Sequence, residues 1–268
     1  MDFLSFLSLS FVRCAIVSVV LLAILSGVVG TYIVTRRMVF AAGGITHSSF
    51  GGIGLAYFLG LDPTIGALVF AVITALCVNW VSQRGAVRQD SAIAMLWSFG
   101  MAVGVIFLSL TPGYAPNLMG FMFGDILAVS VSDVVANSVV AFACVAAAVV
   151  FYRPLLYSSF DPVYARLSGW RPALVSAVSS VFVALAISFS IKSVGIILVL
   201  SVFSIPQAIA MAFVQTLPRI MVLSALVALI GCAVGLVASF FFDLPSGAVI
   251  TAVLSAALLI VKLFRKSE

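Results

Sequence analysis

Residues 10–37 read SFVRCAIVSVVLLAILSGVVGTYIVTRR. From Ser10 to Thr35 the single charge is Arg13, and then Arg36 and Arg37 arrive together. A helix needs about 20 predominantly apolar residues to cross a bilayer. Inside the hydrocarbon every backbone N–H and C=O must find its partner within the protein, which a helix provides. This stretch is long enough to span, and the paired arginines mark where it returns to water.

The rest of the chain repeats the pattern. Its 268 residues are 64% hydrophobic and 8% charged, against about a quarter charged in a soluble domain. The sequence predicts an all-α polytopic membrane protein, a single transmembrane domain over 1–268. About nine transmembrane helices (8–9) fit into it: roughly 10–35, 43–61, 63–81, 91–111, 134–152, 173–191, 194–214, 219–242 and 246–263. Asp62-Pro63, Thr111-Pro112-Gly113 and Asp243-Leu244-Pro245 punctuate the apolar runs with helix stops and starts.

Charge placement supports this division. Arg36, Arg37, Arg84, Arg88, Arg153, Arg166, Arg171, Arg219, Lys262, Arg265 and Lys266 all follow odd-numbered spans, and only Arg13 and Lys192 lie at the other end. Loops that stay in the cytoplasm are enriched in Lys and Arg. The expected orientation therefore has the N-terminus outside and the C-terminus cytoplasmic. Asp2, Asp62, Asp125, Asp133 and Asp243 fall on the outer side, where they either concentrate cations or serve as ordinary loop charges. The net charge of +5 is spread over span ends and not gathered into a basic, aromatic-laced patch, so nucleic acid is not an expected partner. Cys14, Cys77, Cys144 and Cys232 each lie in an apolar run with no CxxC, and read as small membrane-embedded hydrophobes.

The longest cytoplasmic connection, 158–170, has the grammar of a short amphipathic helix. Asp161 suits an N-cap, Pro162 the first helical position and Gly169 a left-handed C-terminal position. Phe160, Tyr164, Ala165, Arg166 and Leu167 fill it. So short a helix with one arginine binds lipid weakly, which leaves a protein partner as its expected contact.

His47 is the only histidine. At membrane depth an imidazole is a metal ligand, a proton carrier or a packing group, and an ionisable side chain there points to function. Gly43, His47 and Gly51 recur at four-residue spacing, with Gly44, Ser48 and Gly52 beside them, and such small-residue stripes let helices approach closely. Imidazole suits Zn²⁺, Mn²⁺ and Fe²⁺. Thr46, Ser48 and Ser49 are weaker candidates to complete a site. Pro206 within the seventh span is expected to kink it and to mark a gate.

Taken together, Arg36-Arg37-Met38 with Gly44-Ile45-Thr46-His47-Ser48, Asp90-Ser91-Ala92-Ile93, Gly124-Asp125-Ile126-Leu127, Phe160-Asp161-Pro162, Lys192-Ser193-Val194-Gly195, Ile205-Pro206 and Leu244-Pro245-Ser246-Gly247 resemble the ABC-3 family. Its members are type II-importer-like permease subunits of ATP-binding-cassette importers for zinc, manganese and iron. The resemblance covers nearly the whole chain. It implies a homodimer in a bacterial or archaeal cytoplasmic (inner) membrane, surrounded by lipid. It also implies two cytoplasmic ATPase subunits docked on a coupling helix within 158–170, and an extracytoplasmic metal-binding protein. No cofactor is bound permanently; the metal, zinc or manganese and less readily iron, is cargo. Many relatives carry an aspartate four residues before the histidine, where this chain has Gly43.

The sequence has no Gly-x-x-x-x-Gly-Lys-Ser/Thr loop for nucleotide phosphates and no HExxH, so the chain is not read as an enzyme. Two other readings compete: a permease for a metal chelate or cobalamin-like cargo, and a secondary transporter using His47 as a proton relay.

Overall fold

A computed structural model describes residues 10–84, 88–112, 124 and 126–265. Asp2, Gly113, Asp125 and Lys266, singled out above, lie outside them. The described residues form twelve α-helices: α1 (Ser10–Thr35), α2 (Val39–Leu59), α3 (Pro63–Arg84), α4 (Gln89–Leu110), α5 (Val131–Val150), α6 (Tyr152–Phe160), α7 (Pro162–Leu167), α8 (Pro172–Val194), α9 (Ile196–Val202), α10 (Ile205–Phe213), α11 (Leu217–Phe242) and α12 (Ser246–Arg265). No strand occurs among them.

Eight segments are long and apolar enough to cross a bilayer: α1, α3, α4, α5, α8, the α9–α10 pair, α11 and α12. Outward-facing residues such as Phe142, Val149, Ile230 and Val234 are large, apolar and exposed, as a surface against lipid requires. α2 has 21 residues, long enough to span, but glycine, serine and threonine dilute it. Fourteen of those residues, among them Gly44, Thr46, Phe50 and Gly54, are buried. A helix surrounded by protein needs close-fitting small residues more than a greasy surface, and α2 is not among the eight segments that qualify as spans.

The helices pack in two compact units. One contains α2, α3, α4, α6, α7, α5 beyond Ala141 and α8 through Ser188. In it α2 lies against both α3 and α4. Ala67, Ala71, Ala75 and Val78 form the buried stripe of α3, and Ala41, Val78 and Ile93 close one end of the three-helix group. The other unit contains α1, α5 through Ala141, the end of α8 from Phe189, and α9 to α12. There Gly231 and Gly235 of α11 abut Leu254 and Ile250 of α12, and Asp243, with φ of +52°, turns the chain between the two helices.

Two regions differ from the sequence expectation. α1 contains a π-helical segment, Ser26–Gly30. The seventh span, expected as one kinked helix over 194–214, is two helices separated at Phe203 and Ser204. Pro206 does not kink a continuous helix; it occupies the first turn of α10, where the missing N–H would be unpaired in any case. The short helix α6 carries Pro154. It sits in the first turn, where proline is tolerated.

Candidate functional site

His47 is half-buried on α2, and glycine contacts to α4 fix its surroundings. A Cβ added to Gly44 would meet the Ile93 side chain at 2.5 Å, and one added to Gly51 would meet the Gly100 carbonyl oxygen at 2.6 Å. Gly100 in turn lies against Ser48, and Gly54 against Gly104. The paired positions rise together along both chains, so α2 and α4 run parallel, with Ile93, Trp97, Gly100 and Gly104 on the α4 face that meets α2. On its other side α2 is antiparallel to α3: Gly52 abuts Gly66, and Ser48 Oγ donates to Thr74 Oγ1 at 2.8 Å.

This register sets the imidazole of His47 on the indole of Trp97. Their ring centroids are 4.1 Å apart and their planes differ by 10°. Phe40 approaches Trp97 at 6.2 Å and 47°. Nδ1 of His47 is buried and has no hydrogen-bond partner. The neighbouring hydroxyls are occupied elsewhere. Thr46 Oγ1 donates to Ala42 O at 2.7 Å, Ser49 Oγ to Ile45 O at 2.7 Å, and Ser48 to Thr74 and Ile45. All three are buried, with their protons committed to backbone or to α3. The ring contact of His47 is with Trp97. Gly43, four residues before His47, is buried. Among the described residues no three His, Cys, Asp or Glu side chains gather in a group able to hold a metal.

The capped helix α7 lies in the same unit. The Asp161 carboxylate accepts from Val163 N at 3.1 Å and Tyr164 N at 2.9 Å, Pro162 opens the helix, and Gly169 has φ of +83°. Ala165 points inward, fully buried, and Tyr164 packs edge-on against Tyr157 at 4.9 Å. Phe160, Val163, Tyr164 and Leu167 are exposed, Leu167 to 82%. Four such side chains on eight consecutive residues form an apolar face of the kind that marks an interaction site. Arg166 lies in the last turn. Just before this helix, Arg36 Nη1 donates to Ser158 O at 2.8 Å, tying the turn that precedes α2 to α6.

In the other unit the break between α9 and α10 is sealed by unusual donors. Phe203 N donates to Val199 O and Ser204 N to Ser201 O. Ser204 Oγ donates to Leu200 O at 2.7 Å, and Ser26 Oγ donates to Val202 O at 2.6 Å. Gln207 Nε2 then donates to Ser26 O at 2.6 Å and to Ser26 Oγ at 2.9 Å. The π-helical segment and the helix break therefore satisfy one another's backbone groups, as a low-dielectric interior demands. Pro206 is buried beside this joint. Lys192, at the end of α8, pairs with Asp133 at 2.8 Å, and Asn137 Nδ2 donates to Ser193 Oγ at 2.6 Å.

Sequence reasoning overlooked Trp97 and Gln207. Trp97 carried a signal in its spacing with Ile93, Gly100 and Gly104. Gln207 carried one as an uncharged polar group inside an apolar run.

The model of the ABC 3 transport family matches residues 8–265. An uncharacterized membrane protein of Synechocystis sp. is 35% identical over 97% of this chain and 92% of its own length. The manganese transport system membrane protein MntC of Halalkalibacterium halodurans is 33% identical over 93% of this chain and 85% of its own length. A solved structure of PsaBC from Streptococcus pneumoniae in complex with Fab superposes with a TM-score of 0.86 at 27% identity, covering 97% of this chain and 94% of that one. With the family model spanning nearly all of it, this chain belongs to the ABC 3 transport family, as a multi-pass membrane permease subunit that is not itself catalytic.

Proposed function

We propose that two copies of this chain form the gated path of an ATP-driven importer for a divalent transition metal, manganese foremost. The cargo reading is supported by MntC, a manganese transport system membrane protein. In this reading the N-terminus lies outside. An extracytoplasmic metal-binding protein delivers the ion, and two cytoplasmic ATPase subunits dock on the exposed face of Phe160, Val163, Tyr164 and Leu167. Movement of α7, tied into its unit through Ala165, alternates the path between its two openings, with the joint beside Pro206 as the gate.

The observation that carries the role of His47 is its place on α2. It is a lone imidazole, half-buried, on a helix whose Thr46, Ser48 and Ser49 hydroxyls donate elsewhere. One imidazole per chain is a weak site for Mn²⁺ or Zn²⁺, and the two-fold partner's copy would provide a second nitrogen. Weak binding suits a conduit, since a passing ion must also leave.

The test is ATP-dependent uptake of radioactive manganese into liposomes holding the permease with its ATPase and binding protein. Uptake is expected to require ATP and to fall about tenfold at limiting metal in His47→Ala, in the range seen when a metal site loses a contributing group. Undiminished uptake removes His47 from the path. Zinc supplied as competitor decides between the two ions.

A further inference from the structure

We propose that Trp97 is the positioning residue of the His47 imidazole: it fixes the ring plane, and with Nδ1 buried inside the protein Nε2 is the nitrogen presented to a divalent cation. This rests on His47 being a contact on the metal path.

Three observations carry it. First, metal-binding histidines ordinarily have their second nitrogen held by a carboxylate, carbonyl or water, which sets the ring orientation. Here Nδ1 is buried with no such partner, so hydrogen bonding does not orient the ring. Second, a flat surface covers the face of the ring. The indole is 4.1 Å from the imidazole centroid and within 10° of parallel, and a face-to-face contact of this kind resists tilting of the ring. Third, the stack cannot slide. Gly44 against the Ile93 side chain and Gly100 against the Ser48 backbone bracket it along the helices, and Phe40 stands beside the indole at 6.2 Å. The chain thus replaces a directional hydrogen bond by a plane. A ring held by a plane keeps its direction but gains no basicity from an acceptor, which favours capture and quick release over retention.

Transport is measured in the complete importer with Trp97→Leu, Trp97→Phe, His47→Ala and the double variant His47→Ala/Trp97→Leu. Trp97→Leu is expected to lose manganese uptake about as far as His47→Ala, around tenfold. Trp97→Phe, which keeps a ring in the stack, should retain more than half. The double variant should be no worse than either single one, because both changes remove the same function. A double variant whose loss is the product of the two single losses overturns the proposal, as does full uptake in Trp97→Leu while His47→Ala is impaired. Normal uptake in His47→Ala instead defeats the path reading itself.

A second measurement does not depend on transport. With Trp80 and Trp170 changed to Phe in the full chain, Trp97 is the only tryptophan. Its emission is expected to rise when His47 becomes Ala, and to be quenched by added Mn²⁺ only when His47 is present. Manganese quenching equal in both chains, or none in either, overturns the assignment.

Discussion

The seam between α2 and α4 and the joint between α1 and α9–α10 both bring backbones together inside the protein, by opposite means. At the seam small residues remove the obstacle: Gly51 and Gly54 lie against the backbone of Gly100 and Gly104, while Gly44 makes room for the Ile93 side chain. At the joint, polar side chains fill the gap, with Ser26, Ser204 and Gln207 occupying the groups that the π-helical segment and the broken helix leave open. The seam leaves both helices regular and fixes their spacing. The joint interrupts both helices and holds them by hydrogen bonds that can be exchanged. A membrane protein that must hold one site rigid and move another has a use for each.

The sharpest way to break this contrast is to put a side chain into the seam. Gly51→Leu would drive its Cβ to 2.6 Å from the Gly100 carbonyl oxygen, and neither backbone can yield without displacing a helix. The expected cost is about 3 kcal/mol, at the upper end for overpacking, seen as early unfolding in a denaturant titration of the purified protein in detergent. A variant as stable as the parent would show that the seam is pliable.

The joint should be milder. Gln207→Ala removes the donor to Ser26 O and Oγ from a buried network, for about 2 kcal/mol. Ser26→Ala in the same background should cost less than it does alone, because the two groups share one network. Thermal unfolding of the single and double variants measures this, and additive effects would dissolve the network into independent contacts.

The smallest effect is expected at the Lys192–Asp133 pair. Lys192 is 46% exposed, so solvent screens the attraction and Lys192→Ala should cost no more than about 0.5 kcal/mol. A larger loss would place this pair with the joint as a structural fastener.

What could be read from the sequence followed the range of the forces. Spans, caps and the α7 grammar were legible because Asp161, Pro162 and Gly169 act within a few residues of themselves. The start of α2 at Val39, four residues ahead of the expected 43, depends on Arg37 adopting φ of +55°, an unusual conformation for a residue with a side chain. The π-helical segment and the break at 203–204 were illegible because each is stabilised by a partner 176 or 181 residues away. His47 stood out by being alone of its kind. Trp97 did not, because its role depends on which turn of α4 faces which turn of α2, and the glycines settle that only once the helices are packed.

The glycine seam has one consequence for motion. Side chains interdigitating at an interface can often choose new rotamers and so settle into a second arrangement. Hydrogen atoms on glycine offer no such choice, and packed main chain has no neighbouring notch to slip into without losing contact along its length. α2 and α4 therefore behave as one stiff plank. In any cycle of opening and closing, imidazole and indole must travel together as passengers on it, and the flexing has to be found at its ends.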